Sequence, residues 1–255
     1  MREYLVFRLY GPMASWGQPA VGGDRPTALA PTRSALLGLL GAALGIKRED
    51  EAGLARLQQS VCFGIKQCVP GTLMRDYHTT QVPIGTPEKL RHCRTRKAEI
   101  DECQHQEKFN AKNSRPNAIL SSRDYRCDAL WVIAAWLSPK AELTLEQLQT
   151  SLQKPVFTLY LGRKSCPLAL PLMPQLLPET SLQQALDHPF PALVSEKADP
   201  YWLGANHYTT YFWEGDVKAI EHAATQTYHP WDEPQHRGRW QFKQRAMHQL
   251  TIREA

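Results

Sequence analysis

The stretch "DALWVIAAWL", Asp128 to Leu137, is an apolar run of strand length near the middle of the chain. Tryptophan, valine and isoleucine suit a pleated sheet. A run that is apolar at nearly every position predicts a buried strand. The elements on either side of this strand therefore decide how the sheet is built.

The predicted elements around this stretch follow a regular order. They are a strand at Glu3–Tyr10, a helix at Thr32–Leu44, a strand at Ser60–Cys68, the Asp128–Leu137 strand, a helix at Thr144–Gln153 and a strand at Val156–Gly162. Strand, helix, strand, strand, helix, strand is the split βαβ pattern. The sequence therefore predicts an α+β, ferredoxin-like (RRM-like) domain over residues 1–165.

The first predicted helix begins after Thr32, a good N-cap residue, and stops at Gly45. Gly38 and Gly41 lie inside it, although each glycine destabilises a helix by about 1 kcal/mol relative to alanine. We interpret them as the positions at which the helix lies close on the sheet. Arg33 stands in the first turn, where the helix dipole already favours anions rather than cations.

About sixty residues separate the second and third strands, which is long for a plain loop in a compact domain. Both ends of this insertion look like strands, "LMRDYHTT" at 73–80 and "SSRDYRCD" at 121–128. We interpret residues 73–128 as a long projecting β-hairpin, a thumb. Its tip, Gln81 to Leu120, is polar and charged.

The tripeptide Arg-Asp-Tyr occurs once in each arm of the predicted hairpin. Residues two apart on a strand share a face, so Arg75 lies beside Tyr77, and Arg123 beside Tyr125. Arginine binds phosphate through its planar fork, and tyrosine offers a stacking surface to an unpaired base. Ordinary cross-strand contacts in an exposed hairpin are the alternative interpretation.

Basic residues are concentrated in the same insertion. Residues 75–126 hold eleven Lys and Arg against seven Asp and Glu, an excess of four within a chain of net charge +5. A projecting hairpin with this balance favours a polyanionic partner. Arg163 and Lys164 add a second basic position, just after Gly162 at the end of a predicted strand, where an ordinary basic turn is the alternative.

Two groups of residues suggest an enzyme. His92, Cys93, Cys103 and His105 could ligate zinc, but their spacing does not match the common zinc patterns, so we expect neither metal nor cofactor. The pair Tyr77-His78 with a nearby lysine could act in a metal-independent ribonuclease, in which a general base activates a 2′-hydroxyl.

Length, cysteine spacing and apolar runs indicate the class of protein. The chain has 255 residues and six cysteines without framework spacing, no run of about 18 apolar residues and no signal-peptide pattern. We expect a cytoplasmic protein with reduced cysteines and no membrane partner. Prolines are concentrated in residues 166–255, which we interpret as a small β-containing C-terminal domain.

Five strings, in this order, resemble the CasD family of the type I-E CRISPR Cascade complex, within the RAMP superfamily. They are "YLVFRLYGPMASWGQP", "RPTALAPTRSALLGLLGAALGI", "MRDYHT", "RDYRCDA" and "YLGRKSCPL". The resemblance runs from Met1 to about Pro174 and is looser beyond it, where "RGRWQF" carries most of it.

The resemblance implies a ferredoxin-like domain with a thumb and a small C-terminal domain. It also implies a non-catalytic subunit that binds the 5′ handle of the guide RNA, next to the backbone and large subunits, and meets target DNA through the complex. A subtype in which this subunit cuts RNA uses a Tyr/Lys/His set, which this sequence does not allow us to place. The metal-independent endoribonuclease and a stand-alone RNA-binding protein remain the alternatives.

The resemblance turns the basic positions into expected RNA contacts. Arg33 and the free amides of its helical turn would form a seat for a handle phosphate, with Arg25 on the neighbouring loop. The full set of expected RNA-binding residues is Arg25, Arg33, Ser34, Arg75, Tyr77, His78, Arg123, Tyr125, Arg163 and Lys164.

Overall fold

The computed structural model of the chain describes residues 1–20, 22–82, 95, 97–98, 101, 117–204, 207–236, 239 and 241–253. Its strands are β1 (Arg2–Tyr10), β2 (Met13–Ala14), β3 (Asp24–Arg25), β4 (Val61–Val69), β5 (Thr72–Val82), β6 (Asn117–Cys127), β7 (Leu130–Leu137), β8 (Gln175–Thr180), β9 (Tyr208–Trp213), β10 (Gln226–Tyr228), β11 (Glu233–His236), β12 (Gln241–Lys243) and β13 (Met247–Arg253). Its helices are α1 (Arg33–Leu44), α2 (Glu51–Ser60), α3 (Leu145–Gln153), α4 (Leu182–Leu186) and α5 (Asp199–Leu203), with a 3₁₀ turn at Val217–Ala219.

The chain divides into two compact units. The main unit holds Met1–Pro19, Pro26–Met74 and Asp124–Ala255, and the smaller unit holds Ala20–Arg25 and Arg75–Arg123. The sequence placed a boundary near residue 165 instead. Four of the strands after that point, β8, β9, β10 and β13, join the same sheet as β1, β4 and β7, whereas β11 and β12 form a separate pair.

The main unit is built on a seven-stranded sheet with the order β10-β13-β9-β4-β7-β1-β8. Strand β7 pairs antiparallel with β1 on one side and with β4 on the other. β7 therefore lies inside the sheet, as its apolar sequence predicts. Strand β8 pairs antiparallel with the outer side of β1.

Both faces of the sheet are covered, and β7 contributes to both cores. Trp131, Ile133 and Ala135 belong to the core that contains the buried leucines of α1, α2 and α3. Ala134 and Trp136 belong to the core on the opposite side, which contains Leu182 and Leu186 of α4. Successive residues of a strand point to opposite faces, so one apolar run serves two cores.

The prediction of a fourth strand at Val156–Gly162 is wrong, because these residues form no strand. The backbone N–H groups of Val156 and Phe157 donate to the carbonyls of Ala43 and Ala42, at 3.0 and 3.1 Å, at the end of α1. The free carbonyls of a helix end thus take the place of a strand partner. The strand that pairs with β1 is β8, about twenty residues further along the chain.

The glycines of α1 do not act as the sequence suggested. Gly38 is exposed, and a Cβ atom placed on it would meet nothing within 4 Å. Gly41 is buried, and a Cβ atom placed on it would lie 3.6 Å from Leu57 of α2, which is an ordinary van der Waals distance. Gly45 does end the helix as expected, with a left-handed φ of 76°.

Candidate functional site

The loop from Tyr160 to Pro167, called the Gly162 loop below, is closed by its own backbone. Leu161 N–H donates to the carbonyl of Cys166 at 2.8 Å, and Cys166 N–H donates to the carbonyl of Arg163 at 2.9 Å. Tyr160 and Pro167 form an isolated bridge at its base. The loop is therefore a tight turn with a defined backbone.

The Gly162 loop is also fixed to the loop that follows β1. Ser15 N–H donates to the carbonyl of Leu161 at 3.0 Å. Gly162 has a φ of 85°, and a Cβ atom on it would lie 1.9 Å from the carbonyl oxygen of Ser15. Only glycine fits this position, because any side chain would meet the Ser15 backbone.

Arg163 lies over the ring of Tyr125, with its Cζ atom 5.0 Å from the ring centroid. Tyr125 is buried, with 6% of its surface exposed, whereas Arg163 is half-buried and Lys164 is exposed. The prediction that Tyr125 stacks on an RNA base is wrong, because its ring lies in the core beneath Arg163. The two residues do meet, although 38 positions separate them in the sequence.

The end of β6 that carries Tyr125 is anchored within the main unit. The hydroxyl of Ser15 donates to the carbonyl of Asp124 at 3.0 Å, and Ala14 pairs with Arg126 between β2 and β6. Burial lowers the pKa of Arg126, and the carboxylate of Asp124 opposes this shift. The segment Ala14–Ser15 thus holds both the end of β6 that carries Tyr125 and the Gly162 loop.

Arg33 is a structural residue, which corrects its assignment as a phosphate ligand. It is 7% exposed. Its guanidinium donates to Glu214 Oε1 at 2.7 Å, lies 2.5 Å from Glu233 Oε2, and donates to the carbonyls of Gln58 and Val61 at 2.7 and 3.0 Å. Two carboxylates of the chain itself neutralise the charge that the sequence assigned to RNA.

The anion seat at the start of α1 is real, but a side chain of the protein fills it. The backbone N–H of Arg33 donates to Oδ2 of Asp232 at 2.8 Å. The hydroxyl of Thr32 caps no backbone N–H and lies 3.2 Å from that of Ser34, which is half-buried. The helix N-terminus binds an anion as its dipole predicts, and in this structure that anion is the carboxylate of Asp232.

Sequence reasoning missed the partners in this buried network. Arg245 donates to Oδ1 and Oδ2 of Asp232 at 2.6 and 2.9 Å. Burial raises the pKa of Glu214, against the opposing effects of Arg33 and Arg245. The acidic partners of Arg33 lie some 180 to 200 residues further along the chain. No local sequence pattern connects them with Arg33, and only the folded structure shows the contacts.

Two of the expected contacts meet in the smaller unit. Arg25 of β3 is the direct partner of Arg123 of β6 in a parallel pair. Arg25 Nη1 donates to the carbonyls of Gly22 and Asp24 at 2.6 and 3.0 Å. The hydroxyl of Ser122 holds the carboxylate of Asp24 at 2.5 Å, which fixes this short pairing.

Strand β5 presents the other expected contacts at the surface. Arg75, Tyr77 and His78 are all exposed, and Tyr77 retains 78% of its accessible surface. The alternation of the strand puts Arg75 and Tyr77 on one face and His78 on the other. An exposed ring beside a guanidinium can stack on a base while the arginine binds a phosphate.

The four zinc-ligand candidates, His92, Cys93, Cys103 and His105, lie outside the described residues, as does most of the predicted tip Gln81–Leu120. Within the described ranges, no three His, Cys, Asp or Glu side chains are grouped so that they could hold a metal ion. In the same ranges, no helix is long and apolar enough to cross a membrane.

Comparison with known proteins gives the family. Residues 4–248 match the family described as CRISPR-associated protein (Cas_Cas5). The chain is 41% identical to the CRISPR system Cascade subunit CasD of Escherichia coli (strain K12) over 180 residues, which are 68% of this chain and 70% of that protein.

Two solved structures share the fold. One, titled "CRISPR RNA-guided surveillance complex", has a TM-score of 0.62 at 22% identity and covers 98% of this chain and 90% of the other. A second, titled "Crystal structure of Cas protein", has a TM-score of 0.57 at 24% identity, with 98% and 94% covered. The family match, the relationship to CasD and the shared fold agree, and the chain belongs to the Cas5 family of CRISPR-associated proteins, in the group of the Cascade subunit CasD.

Proposed function

We propose that the protein is a non-catalytic subunit of a CRISPR Cascade complex and binds the 5′ handle of the guide RNA. The observation that carries the proposal is the 41% identity with a Cascade subunit over 180 residues. The proposal adds the backbone and large subunits as protein partners, target DNA met through the complex, and a cytoplasmic location.

The architecture supports this role. Within the large sheet, the order β4-β7-β1-β8, all antiparallel, with α1 and α2 before β4 and α3 before β8, is that expected of a split βαβ domain. We propose a ferredoxin-like domain on this basis. The pairing of β5 with β6 supports a thumb at about residues 73–128.

The basic side chains that remain accessible are the proposed RNA contacts. In the main unit they are Arg163 and Lys164 on the Gly162 loop. In the smaller unit they are Arg25, Arg75 and Arg123, with Tyr77 as a stacking surface. Phosphate contacts of this kind position an RNA and carry most of its affinity.

The geometry of β5 argues against the ribonuclease alternative. A general base and its partner must reach the same phosphodiester group. Tyr77 and His78 are successive residues of a strand and point to opposite faces, so they do not converge on one bond.

Co-purification tests the proposal. The protein, tagged and expressed with the genes that surround its own, is isolated and its bound RNA is sequenced. We expect a protein complex that contains short RNAs with one fixed 5′ end. Recovery of the protein alone, or of RNA with scattered ends, would contradict the proposal.

A second experiment addresses catalysis. The purified protein is incubated with CRISPR repeat RNA in the presence of a chelator, and we expect binding without cleavage. His78→Ala should leave the length of the co-purified RNA unchanged. A product that ends in a 2′,3′-cyclic phosphate, and that disappears when the 2′-hydroxyl at the cut is removed, would establish the ribonuclease instead.

A further inference from the structure

We propose that Tyr125 is a positioning residue, whose buried ring holds the guanidinium of Arg163 against a backbone phosphate of the bound RNA. The inference rests on the proposed function, because it concerns the same guide RNA. It assigns Tyr125 a role opposite to the one its sequence suggested, since the ring serves an arginine of the protein rather than a base.

The contact between the two side chains carries the inference. The Arg163 Cζ atom lies 5.0 Å from the ring centroid of Tyr125. A cation over an aromatic face is attracted to it, and the attraction grows when the pair is shielded from water. Tyr125 is 6% exposed, so the ring is a fixed surface for the guanidinium.

The backbone of Arg163 is fixed as well. The carbonyl of Arg163 accepts the N–H of Cys166, and Ser15 N–H holds Leu161, two residues before Arg163. The close approach of Gly162 to the Ser15 carbonyl leaves no space for a shift in that direction. An arginine fixed at both its backbone and its side chain loses less conformational entropy on binding an anion.

The chemistry of the position selects a phosphate rather than a base. The ring of Tyr125 is buried beneath the arginine, so Tyr125 itself offers no face on which a base could stack. The planar fork of arginine matches the oxygens of a phosphodiester. The exposed Lys164 beside it adds a second positive charge without a preferred orientation.

A double-mutant cycle tests the inference. The probe is a synthetic single-stranded RNA with the 5′ sequence of the guide that co-purifies with the wild-type protein. Affinity is measured at four salt concentrations for the wild type, Arg163→Ala, Tyr125→Leu, Tyr125→Phe and the double variant Arg163→Ala with Tyr125→Leu. A thermal melt of each variant confirms that it is folded at the temperature of the titration.

We expect Arg163→Ala to weaken binding about ten-fold, as for one charge-assisted hydrogen bond. Tyr125→Leu keeps the position apolar but removes the aromatic face, and should weaken binding about three-fold. Tyr125→Phe keeps the face and should bind like the wild type. In the Arg163→Ala background, Tyr125→Leu should cause no further loss.

A loss from Tyr125→Leu that persists in the Arg163→Ala background would overturn the inference, because the tyrosine would then act without the arginine. A loss from Tyr125→Phe as large as that from Tyr125→Leu would do the same. If the wild type carries no guide RNA at all, the proposed function itself fails, which is a separate result.

Arg163→Lys gives a test that leaves Tyr125 untouched. Lysine keeps the charge but lacks the flat guanidinium that stacks on a ring and binds two oxygens at once. We expect about three-fold weaker binding with an unchanged salt dependence. Binding of Arg163→Lys equal to that of the wild type would contradict the role of Tyr125.

Discussion

The backbone N–H of Arg33 donates to the carboxylate of Asp232, so the first turn of a helix near one end of the chain is capped by a residue 199 positions away. The usual cap at this position is the preceding residue, here Thr32, whose hydroxyl caps no backbone N–H. The side chain of Arg33 continues the same connection through Glu214 and Glu233. This network joins α1 to the segments around β9 and β11.

Arg33→Met should destabilise the protein by about 3–5 kcal/mol, because it leaves the buried carboxylates of Glu214 and Glu233 without their main partner. Urea unfolding measures the loss. Lys140→Met, a change at an exposed lysine, is the control and should stay within about 0.5 kcal/mol of the wild type. A folded Arg33→Met protein with normal stability but a smaller salt dependence of RNA binding would restore the phosphate role.

The loss in free energy of unfolding caused by Arg33→Met should become smaller as the pH falls. Burial raises the pKa of Glu214 above its ordinary value of 4.5, and Arg33 opposes this shift. A carboxyl group with a raised pKa in the folded state contributes favourably at low pH, and this contribution is lost as the pH rises through that pKa. Without Arg33, the pKa of Glu214 rises further. Glu214 therefore takes up a proton at a higher pH in the variant than in the wild type, and the variant then no longer carries an unpaired buried charge.

Urea unfolding of the two proteins at several pH values between 7.5 and about 5 checks this prediction. The difference in free energy of unfolding should be largest at the highest pH. A difference that stays constant over this range would show that Glu214 does not take up the proton.

Gly162→Ala should destabilise the protein by about 2–5 kcal/mol, as the sum of a strained backbone and a clash. Its φ of 85° is unfavourable for alanine, and the new Cβ would lie 1.9 Å from the Ser15 carbonyl oxygen. Thermal and urea unfolding report the change. An alanine tolerated at this position would mean that the loop moves away from Ser15.

Gly38→Ala is the matched change in the opposite direction. Gly38 lies in the interior of α1, is exposed, and has nothing within 4 Å of the position that a Cβ would take. Alanine should therefore stabilise the protein by about 0.5–1 kcal/mol through helix propensity alone. A loss of stability would indicate that the backbone at Gly38 contacts something outside this chain's described residues.

Arg75→Ala and Tyr77→Ala should differ in the way they weaken RNA binding. Loss of a phosphate contact reduces the salt slope of log affinity by about 0.7 for a single strand. Loss of a stacked ring costs about 1–3 kcal/mol of affinity without a change in slope. Titrations at several salt concentrations separate the two effects.

Thr79→Ala is the control for this pair, because Thr79 is exposed on the same strand but carries neither charge nor ring. It should leave both affinity and slope unchanged. Equal effects of all three substitutions would point to a change in the strand rather than to contacts with RNA.

Apolar periodicity and helix caps predicted those strands and helices whose position depends on neighbouring residues. The apolar run of β7, the strands β1 and β4, and the helices α1 and α3 all lie where periodicity and caps placed them. The sequence analysis did not predict helix α2. Leu54 and Leu57 are its only large apolar residues, and Gly53 lies in its first turn.

The alternation at Val156–Gly162 predicted a strand that does not form. Its backbone N–H groups find the free carbonyls of α1, and Gly162 turns the chain onto Ser15. Both partners are distant in sequence. The same limit explains Arg33, which looked like a free cation only because its three acidic partners lie beyond residue 213.

The connection between Arg33 and residues 214–245 also constrains the order of events during synthesis. A ribosome adds about 5–20 residues per second, so the start of α1 emerges many seconds before the carboxylates that complete it. Until then, the Arg33 guanidinium and the open helix end must remain solvated or find temporary partners. The last strands, β9 and β13, then add to an edge of the sheet that β4 provides, and the acids arrive with them. The capping of the first turn of α1 and the ion pairs of Arg33 can therefore form only after residues 214–245 have been synthesised.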